Sequence, residues 1–278
     1  MTRNDYVTGI VGRKRDKTVP SHLYKYRKIG VEGSSERRFL KRTFTHLEVY
    51  FASREEFNDP FDCKIVPRSF DHTDGEWLEW YRGAARKAGY APEQCDAEAM
   101  RNFRMGRHRD LEVQRAIQED IQRDANRLGI YCASLKADSL PMWARYGDGH
   151  RGLCLEFRHL VDLFQPLAYS AFQQVHYCKQ LPHLPFLACD ELESLKADLL
   201  TKSLDWQDEH ECRLIDTAGS GARNFTPQGL SGVIFGCRTP EADRRIVREW
   251  IAAAKATTKL YECVIKDGEY AIEIRALD

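Results

Sequence analysis

The sequence lacks the features that mark membrane-spanning and secreted proteins. Its apolar runs, such as Gly232-Val233-Ile234-Phe235-Gly236, are far shorter than the ~20 residues that a helix needs to cross a bilayer. The first twenty residues carry basic side chains but no apolar segment of the secretory type. We therefore expect residues 1–21 to form a flexible basic lead-in and the protein to be cytoplasmic, with no membrane partner.

Paired cysteine motifs are absent as well. The nine cysteines are scattered singly, without a Cys-x-x-Cys pair, and the nine histidines never form a His-Glu-x-x-His motif. This pattern argues against a disulfide framework and against a zinc site, so we expect buried thiols and no metal. The glycine-rich phosphate loops and the nucleophile elbow of common nucleotide-binding and hydrolase folds are also missing.

The chain carries no net charge, because 42 Lys and Arg balance 42 Asp and Glu. No overall field therefore draws it to nucleic acid. The charge-dense stretch from Arg101 to Arg109 has two interpretations, a solvated helix face or a local nucleic-acid contact.

What the sequence does contain predicts an α+β fold. Strand-like segments near both ends flank a segment at about 74–128 whose apolar residues recur at helical spacing. We predict one α+β domain over residues 22–278, with a single mixed, mainly antiparallel sheet and a helical insertion at about 74–128. A further helix is predicted at about 190–203, where Leu192, Leu195, Leu199 and Leu200 share one face.

Three polar or aromatic clusters are candidates for chemistry. The first follows the second predicted strand, where Asn58 and Asp59 precede Pro60. Asn and Asp beside proline favour a tight turn, which explains the cluster structurally. A turn at the end of a strand also places polar groups at the mouth of a cleft, so Asn58 and Asp59 are candidate substrate-binding residues.

The second cluster contains Trp143 and Tyr146, which share a helix face at a spacing of three. Both rings could stack on a planar ligand, but core packing is the favoured account of Trp143, and Tyr146, next to glycines and a polar turn, is the better contact candidate. The third cluster is the run Trp206–Leu214. Glu209 and Glu211 stand two residues apart as a strand begins, so both could face one cavity, with Arg213 beside them or pairing one of them at an exposed edge.

Taken together, these clusters and the strand Leu23-Tyr24-Lys25-Tyr26-Arg27 resemble a bacterial family called domain of unknown function 2971, over roughly residues 22–274. A more distant similarity is to the ADP-ribosyltransferase superfamily. That similarity implies an ADP-ribosyltransferase-like fold with NAD as co-substrate and no tightly bound cofactor. It also implies that Tyr24, Tyr26, Arg27, Ser53 and Tyr146 line the dinucleotide site. Glu211 would be the catalytic carboxylate and Glu209 would aid the acceptor.

Three functions remain open at this point. The resemblance favours an NAD-consuming transferase or glycohydrolase, as in a toxin or phage-defence effector, with a protein, a nucleic acid or water as acceptor. The alternative is a non-catalytic module that recognises a nucleotide-like small molecule or nucleic acid. A metal-free nuclease that uses the paired acids is the third. The oligomeric state is left open by the sequence.

Overall fold

The computed structural model describes residues 21–158, 170–187, 194, 197–254 and 258–277. The helices are α1 (Ser35–Thr45), α2 (Asp74–Lys87), α3 (Pro92–Arg104), α4 (Leu111–Asn126), α5 (Leu140–Arg145) and α6 (Glu241–Ala253). The strands are β1 (His22–Arg27), β2 (Glu48–Phe51), β3 (Arg68–Ser69), β4 (Gly129–Ser134), β5 (Leu153–Arg158), β6 (Ser170–Gln174), β7 (His176–Cys178), β8 (Leu184–Pro185), β9 (Thr201–Ser203), β10 (Glu211–Asp216), β11 (Gly221–Asn224), β12 (Leu230–Phe235), β13 (Lys259–Ile265) and β14 (Ile272–Ala276).

Eight of these strands form one sheet in the order β14-β13-β12-β5-β1-β4-β10-β6. Every neighbouring pair in it is antiparallel except β12 and β13. Helix α6 lies between β12 and β13 in the chain, as a parallel connection requires. The predicted α+β class with a mixed, mainly antiparallel sheet is therefore confirmed.

The two faces of this sheet have different roles. On one face, alternate residues such as Leu23, Leu155 and Leu214 pack with Phe44 of α1 and Trp250 of α6 to form the larger hydrophobic core. The residues between them point to the opposite face. We call this second face the site face.

The sheet is weakly joined between β1 and β4. One residue pair, Tyr24 with Ser134, forms the register of these strands, whereas six pairs join β1 to β5. In this gap, Lys25 Nζ donates a hydrogen bond of 2.5 Å to the carbonyl oxygen of Cys132. Burial, followed by the charge of Arg27, lowers the pKa of Lys25 to about 8.

The helical insertion consists of α2, α3 and α4, within the predicted range. Thr73 caps α2, Pro92 begins α3, and Asp110 caps α4 through the backbone N–H of Glu112. None of the described helices is both long and apolar enough to cross a bilayer.

One helix was not predicted from the sequence, and the end of one predicted helix needs correction. The polar stretch after β1 contains α1, which begins after the capping residue Ser34 and buries Leu40 and Phe44. Its high charge hides this narrow apolar stripe. Of the predicted helix at about 190–203, Leu192 and Leu195 lie outside the described residues, and Thr201–Ser203 form β9. The predicted lead-in, up to residue 20, also lies outside the described residues.

Inside the insertion, His108 lies in an aromatic cluster. Its ring is 4.9 Å from Phe103 and 5.0 Å from Trp77 between centroids, and its buried Nε2 atom has no hydrogen-bond partner among the described residues. Burial, followed by the charge of Arg109, lowers the pKa of His108 below its ordinary value. Protonating this ring in the folded protein is therefore unfavourable.

We expect His108 to make the protein acid-sensitive. Because the folded pKa is depressed, the unfolded chain binds the proton first, so the free energy of unfolding falls as the pH drops below about 6.5. Urea unfolding at pH 7.5 and pH 5.5 should show a smaller loss for His108→Phe than for the parent protein. An equal loss in both proteins would contradict this assignment.

Candidate functional site

Three buried carboxylates surround one ammonium group on the site face. Lys202 Nζ lies 2.5 Å from Glu209 Oε2, 2.9 Å from Glu211 Oε2 and 3.1 Å from Asp62 Oδ2. All four side chains are nearly excluded from solvent. Two of these contacts, to Glu209 and Glu211, are hydrogen bonds, and the contact with Asp62 is an ion pair.

Arg213 joins the same group and is fully buried. It donates to Glu211 through Nε at 2.8 Å and through Nη2 at 3.0 Å, and Nη2 also donates to Asp62 at 2.6 Å. Its Nη1 donates to the carbonyl of Leu199 at 2.7 Å and to the thiol sulfur of Cys63 at 2.8 Å. We call Asp62, Lys202, Glu209, Glu211 and Arg213 the ionic cluster.

The tight turn after β2 brings Asp62 into the ionic cluster. Asp59 Oδ1 accepts from the N–H of Phe61 at 2.9 Å, and the Asp59 carbonyl accepts from the N–H of Asp62 at 3.0 Å. Asn58 is exposed. The predicted turn is thus present, but Asn58 and Asp59 shape the backbone while Asp62 supplies the carboxylate that reaches the site.

The two glutamates converge for a different reason than the sequence suggested. Glu209 ends a 3-10 turn over Leu204–Glu209, and His210 adopts a left-handed backbone with φ of 43° before β10 begins at Glu211. Ser134 Oγ donates to the carbonyl of Glu209 at 2.7 Å, and the N–H of Leu135 donates to that of His210 at 2.9 Å. A kink held by the end of β4, not strand alternation, therefore directs both carboxylates to Lys202.

The charges in the ionic cluster stabilise one another. Burial by itself raises the pKa of Glu211, but the charges and hydrogen bonds of Arg213 and the charge of Lys202 outweigh it and lower the pKa to about 2. Burial lowers the pKa of Lys202, and Glu211, Asp62 and Glu209 more than compensate and raise it above its ordinary value. Glu211 and Lys202 are consequently both charged at neutral pH.

Aromatic side chains border the ionic cluster. Tyr146 Oη donates to Glu209 Oε1 at 2.8 Å, and Tyr177 Oη accepts from the backbone N–H of Glu211 at 2.9 Å. The ring of Trp206 lies 5.3 Å from Lys202 Nζ and 4.9 Å from the guanidinium of Arg145. We call Tyr146, Tyr177 and Trp206, all half-buried, the aromatic rim.

Strand register aligns Tyr24 with the ionic cluster. Tyr24 pairs with Ser134 across β1 and β4, and Ser134 pairs with Glu211 across β4 and β10. Paired residues on neighbouring strands point to the same face of a sheet. Tyr24, Ser134 and Glu211 therefore form a row on the site face, and Glu156, the β5 partner of Tyr24, extends it.

A pocket of about 280 Å³ lies beside the turn that carries Glu209, although the Glu209 side chain does not line it. Asp208 and His210, its two neighbours in the chain, both contribute to the wall. The pocket is lined by Lys136, Asp138, Ser139, Leu140, Pro141, Asp208, His210, Tyr270, Ala271 and Ile272.

Several predicted site residues lie elsewhere. Arg27 is exposed, and strand alternation directs it to the face opposite Tyr24 and Glu211. Ser53 precedes the 3-10 turn at Arg54–Glu56, where its backbone N–H donates to Glu56 at 2.6 Å. Neither residue joins the ionic cluster.

Trp143 and Tyr26 are core residues. Trp143 is fully buried, its Nε1 donates to the carbonyl of Ala137 at 2.9 Å, and its ring contacts Tyr26 edge-on at 5.1 Å. Tyr26 Oη donates to the carbonyl of Lys136 at 2.8 Å. The packing account of Trp143 is therefore the one that the structure supports.

Sequence reasoning missed Asp62, Lys202, Tyr177 and Arg145. Asp62 and Arg145 had a signal, because each lies inside a cluster that the sequence singled out. No sequence signal pointed to Lys202, because the apolar spacing predicted that it lies at the end of a helix. Among the described residues, no group of three or more His, Cys, Asp or Glu side chains could hold a metal ion.

Residues 142–214 match the model of a family described as a protein of unknown function, DUF2971. Over this stretch the chain is similar to the DUF2971 family. The stretch includes Tyr146 and every member of the ionic cluster except Asp62. No curated protein and no solved structure matches the chain. The ADP-ribosyltransferase similarity therefore stays a prediction.

Removing the guanidinium of Arg213 should strongly destabilise the fold. Arg213→Met leaves Asp62 and Glu211 buried with one cation instead of two, and breaking a buried pair in this way costs ~3–5 kcal/mol. Urea unfolding at pH 7 measures the loss. The matched control is Arg275→Met, which removes an exposed ion pair with Glu273 and should change stability little. Similar small changes in both variants would contradict a structural role for the ionic cluster.

The low pKa of Glu211 predicts acid unfolding in a defined range. Because the folded pKa of about 2 lies below the ordinary 4.5, the stabilisation from Glu211 is fully present above pH 4.5 and is lost as the pH falls toward 2. Glu211→Gln should be less stable at pH 6 and should lose less stability than the parent protein below pH 4.5. Parallel stability curves for the two proteins would show that Glu211 is not held in this way.

Proposed function

We propose that this protein binds a nicotinamide dinucleotide on the site face and breaks the bond between its ribose and nicotinamide. The observation that carries the proposal is the row of Tyr24, Ser134 and Glu211, which aligns an aromatic residue of β1 with the acidic start of β10. The aromatic rim adds further rings suited to a planar ligand. A pocket lined by Asp208 and His210, the chain neighbours of Glu209, supplies space for a ligand beside this turn.

Within this proposal, Glu209 rather than Glu211 is the carboxylate suited to the reaction. Glu211 Oε2 accepts from Lys202 and Arg213 and its Oε1 accepts from Arg213. Each oxygen of Glu209 accepts one hydrogen bond, from Tyr146 or from Lys202, which leaves one lone pair on each. Glu209 therefore keeps two lone pairs for a ligand, whereas Glu211 keeps one and is held by both Lys202 and Arg213.

The chemistry that we propose is electrostatic. As the C–N bond to ribose C1′ breaks, nicotinamide leaves with the bonding electron pair and positive charge develops on the ribose. The carboxylate of Glu209 stabilises that charge and takes the proton of the nucleophile that attacks C1′. Water as nucleophile gives a glycohydrolase. A protein or nucleic-acid acceptor gives an ADP-ribosyltransferase, the activity of a toxin or phage-defence effector.

A second candidate is a non-catalytic module that recognises a nucleotide or nucleic acid. One observation favours this candidate. Glu211 is held by both Lys202 and Arg213, so all three side chains are engaged within the protein. Side chains held in this way form a rigid surface that contacts a bound ligand without reacting with it. Binding of NAD with no release of nicotinamide over hours would select this candidate.

Nicotinamide release from NAD, followed by chromatography, tests the catalytic proposal. Glu209→Gln should retain the fold and lower the rate by about 10²-fold or more, as removal of a charge-stabilising group does. Glu262→Gln is the control, because Glu262 is a half-buried glutamate paired with a cation, Arg244, outside the ionic cluster. Equal rates for Glu209→Gln and the parent protein would refute the role of Glu209, and absence of release by the parent protein would refute catalysis.

A further inference from the structure

We propose that Arg145 is the group that binds phosphate at this site. The inference rests on the proposed nucleotide ligand, because it names the side chain that meets the ligand's diphosphate. It does not depend on cleavage of that ligand.

A phosphate-binding group needs accessible N–H donors, and the cations of the ionic cluster are engaged by its carboxylates. Lys202 donates to Glu209 and Glu211 and forms an ion pair with Asp62. The five donors of Arg213 are directed at Glu211, Asp62, Leu199 and Cys63. Both side chains are also buried, so an incoming anion would have to displace existing partners.

Arg145 satisfies the requirement. It is exposed, and it makes no ion pair with any carboxylate in the part of the chain that the structure describes. Its guanidinium lies 4.9 Å from the centroid of the Trp206 ring. Contact with an aromatic ring orients a guanidinium while leaving its N–H edge free to bind phosphate through two hydrogen bonds.

The position of Arg145 links it to the site. It ends α5, and the next residue, Tyr146, donates to Glu209. Trp206 contacts both Arg145 and Lys202. A ligand whose ribose meets Glu209 therefore has its neighbouring phosphate within the region of Arg145, whereas Arg27 lies on the other face of the sheet.

Calorimetry with ADP-ribose tests the inference, since ADP-ribose carries the diphosphate but no bond to nicotinamide. Arg145→Gln should weaken ADP-ribose binding about tenfold or more, which corresponds to ~1.4 kcal/mol. Nicotinamide riboside, which lacks phosphate, should bind both proteins equally. Arg151→Gln is the matched control, because Arg151 is another exposed arginine six positions along the chain.

Every outcome of this experiment either supports or overturns the phosphate-binding role of Arg145. No binding of ADP-ribose to the parent protein, or equal affinity in the parent protein and Arg145→Gln, would overturn the inference. An equal loss of nicotinamide riboside binding would show a general structural effect and would also overturn it. Selective weakening of ADP-ribose binding in a protein that never releases nicotinamide would support the phosphate site and refute only the catalytic proposal.

Discussion

The structure depends on how two buried cations divide their N–H donors among three buried carboxylates. Moving charged groups out of water costs several kcal/mol each unless nearly every donor and acceptor finds a partner. Lys202 and Arg213 donate seven hydrogen bonds between them, and Asp62, Glu209 and Glu211 receive five of these. The network therefore tolerates little displacement of any of the elements that carry it.

This requirement explains several local features. The turn stabilised by Asp59 places Asp62 in the cluster, and the left-handed backbone at His210 allows Glu209 and Glu211 to converge. Lys202 comes from the middle of β9, where it pairs with Tyr177 of β7. A non-glycine residue in the left-handed region is strained and persists where surrounding contacts hold it. Here the end of β4 supplies those contacts through Ser134 and Leu135.

The same network divides the residues of the site into those engaged within the protein and those that can still bind a ligand. Glu211 and Arg213, which strand spacing made natural candidates for ligand contact, are engaged with each other. Glu209, Tyr146 and Arg145 retain hydrogen-bonding capacity next to the aromatic rim and the pocket. This division is the basis for assigning the reaction to Glu209 and phosphate binding to Arg145.

The sequence predicted local features well and the site only in part. An aromatic-rich, weakly alternating segment located β1, short apolar runs located β4 and β12, and helical spacing located the insertion, because these patterns reflect burial. The acidic pair and the tight turn were found from residue type. The contribution of Lys202 depends on the pairing of β9 with β7, and that of Asp62 on a contact about 150 positions away in the chain, so neither is encoded in local pattern.

The central claim is that Glu211 is held ionised by its buried partners. The most direct test is an NMR titration of the Glu211 side-chain carboxyl carbon in the folded protein. The account predicts that this carbon stays in its ionised position from neutral pH down to acid unfolding, in keeping with a pKa of about 2. A titration with a midpoint at or above the ordinary value of 4.5 would contradict it.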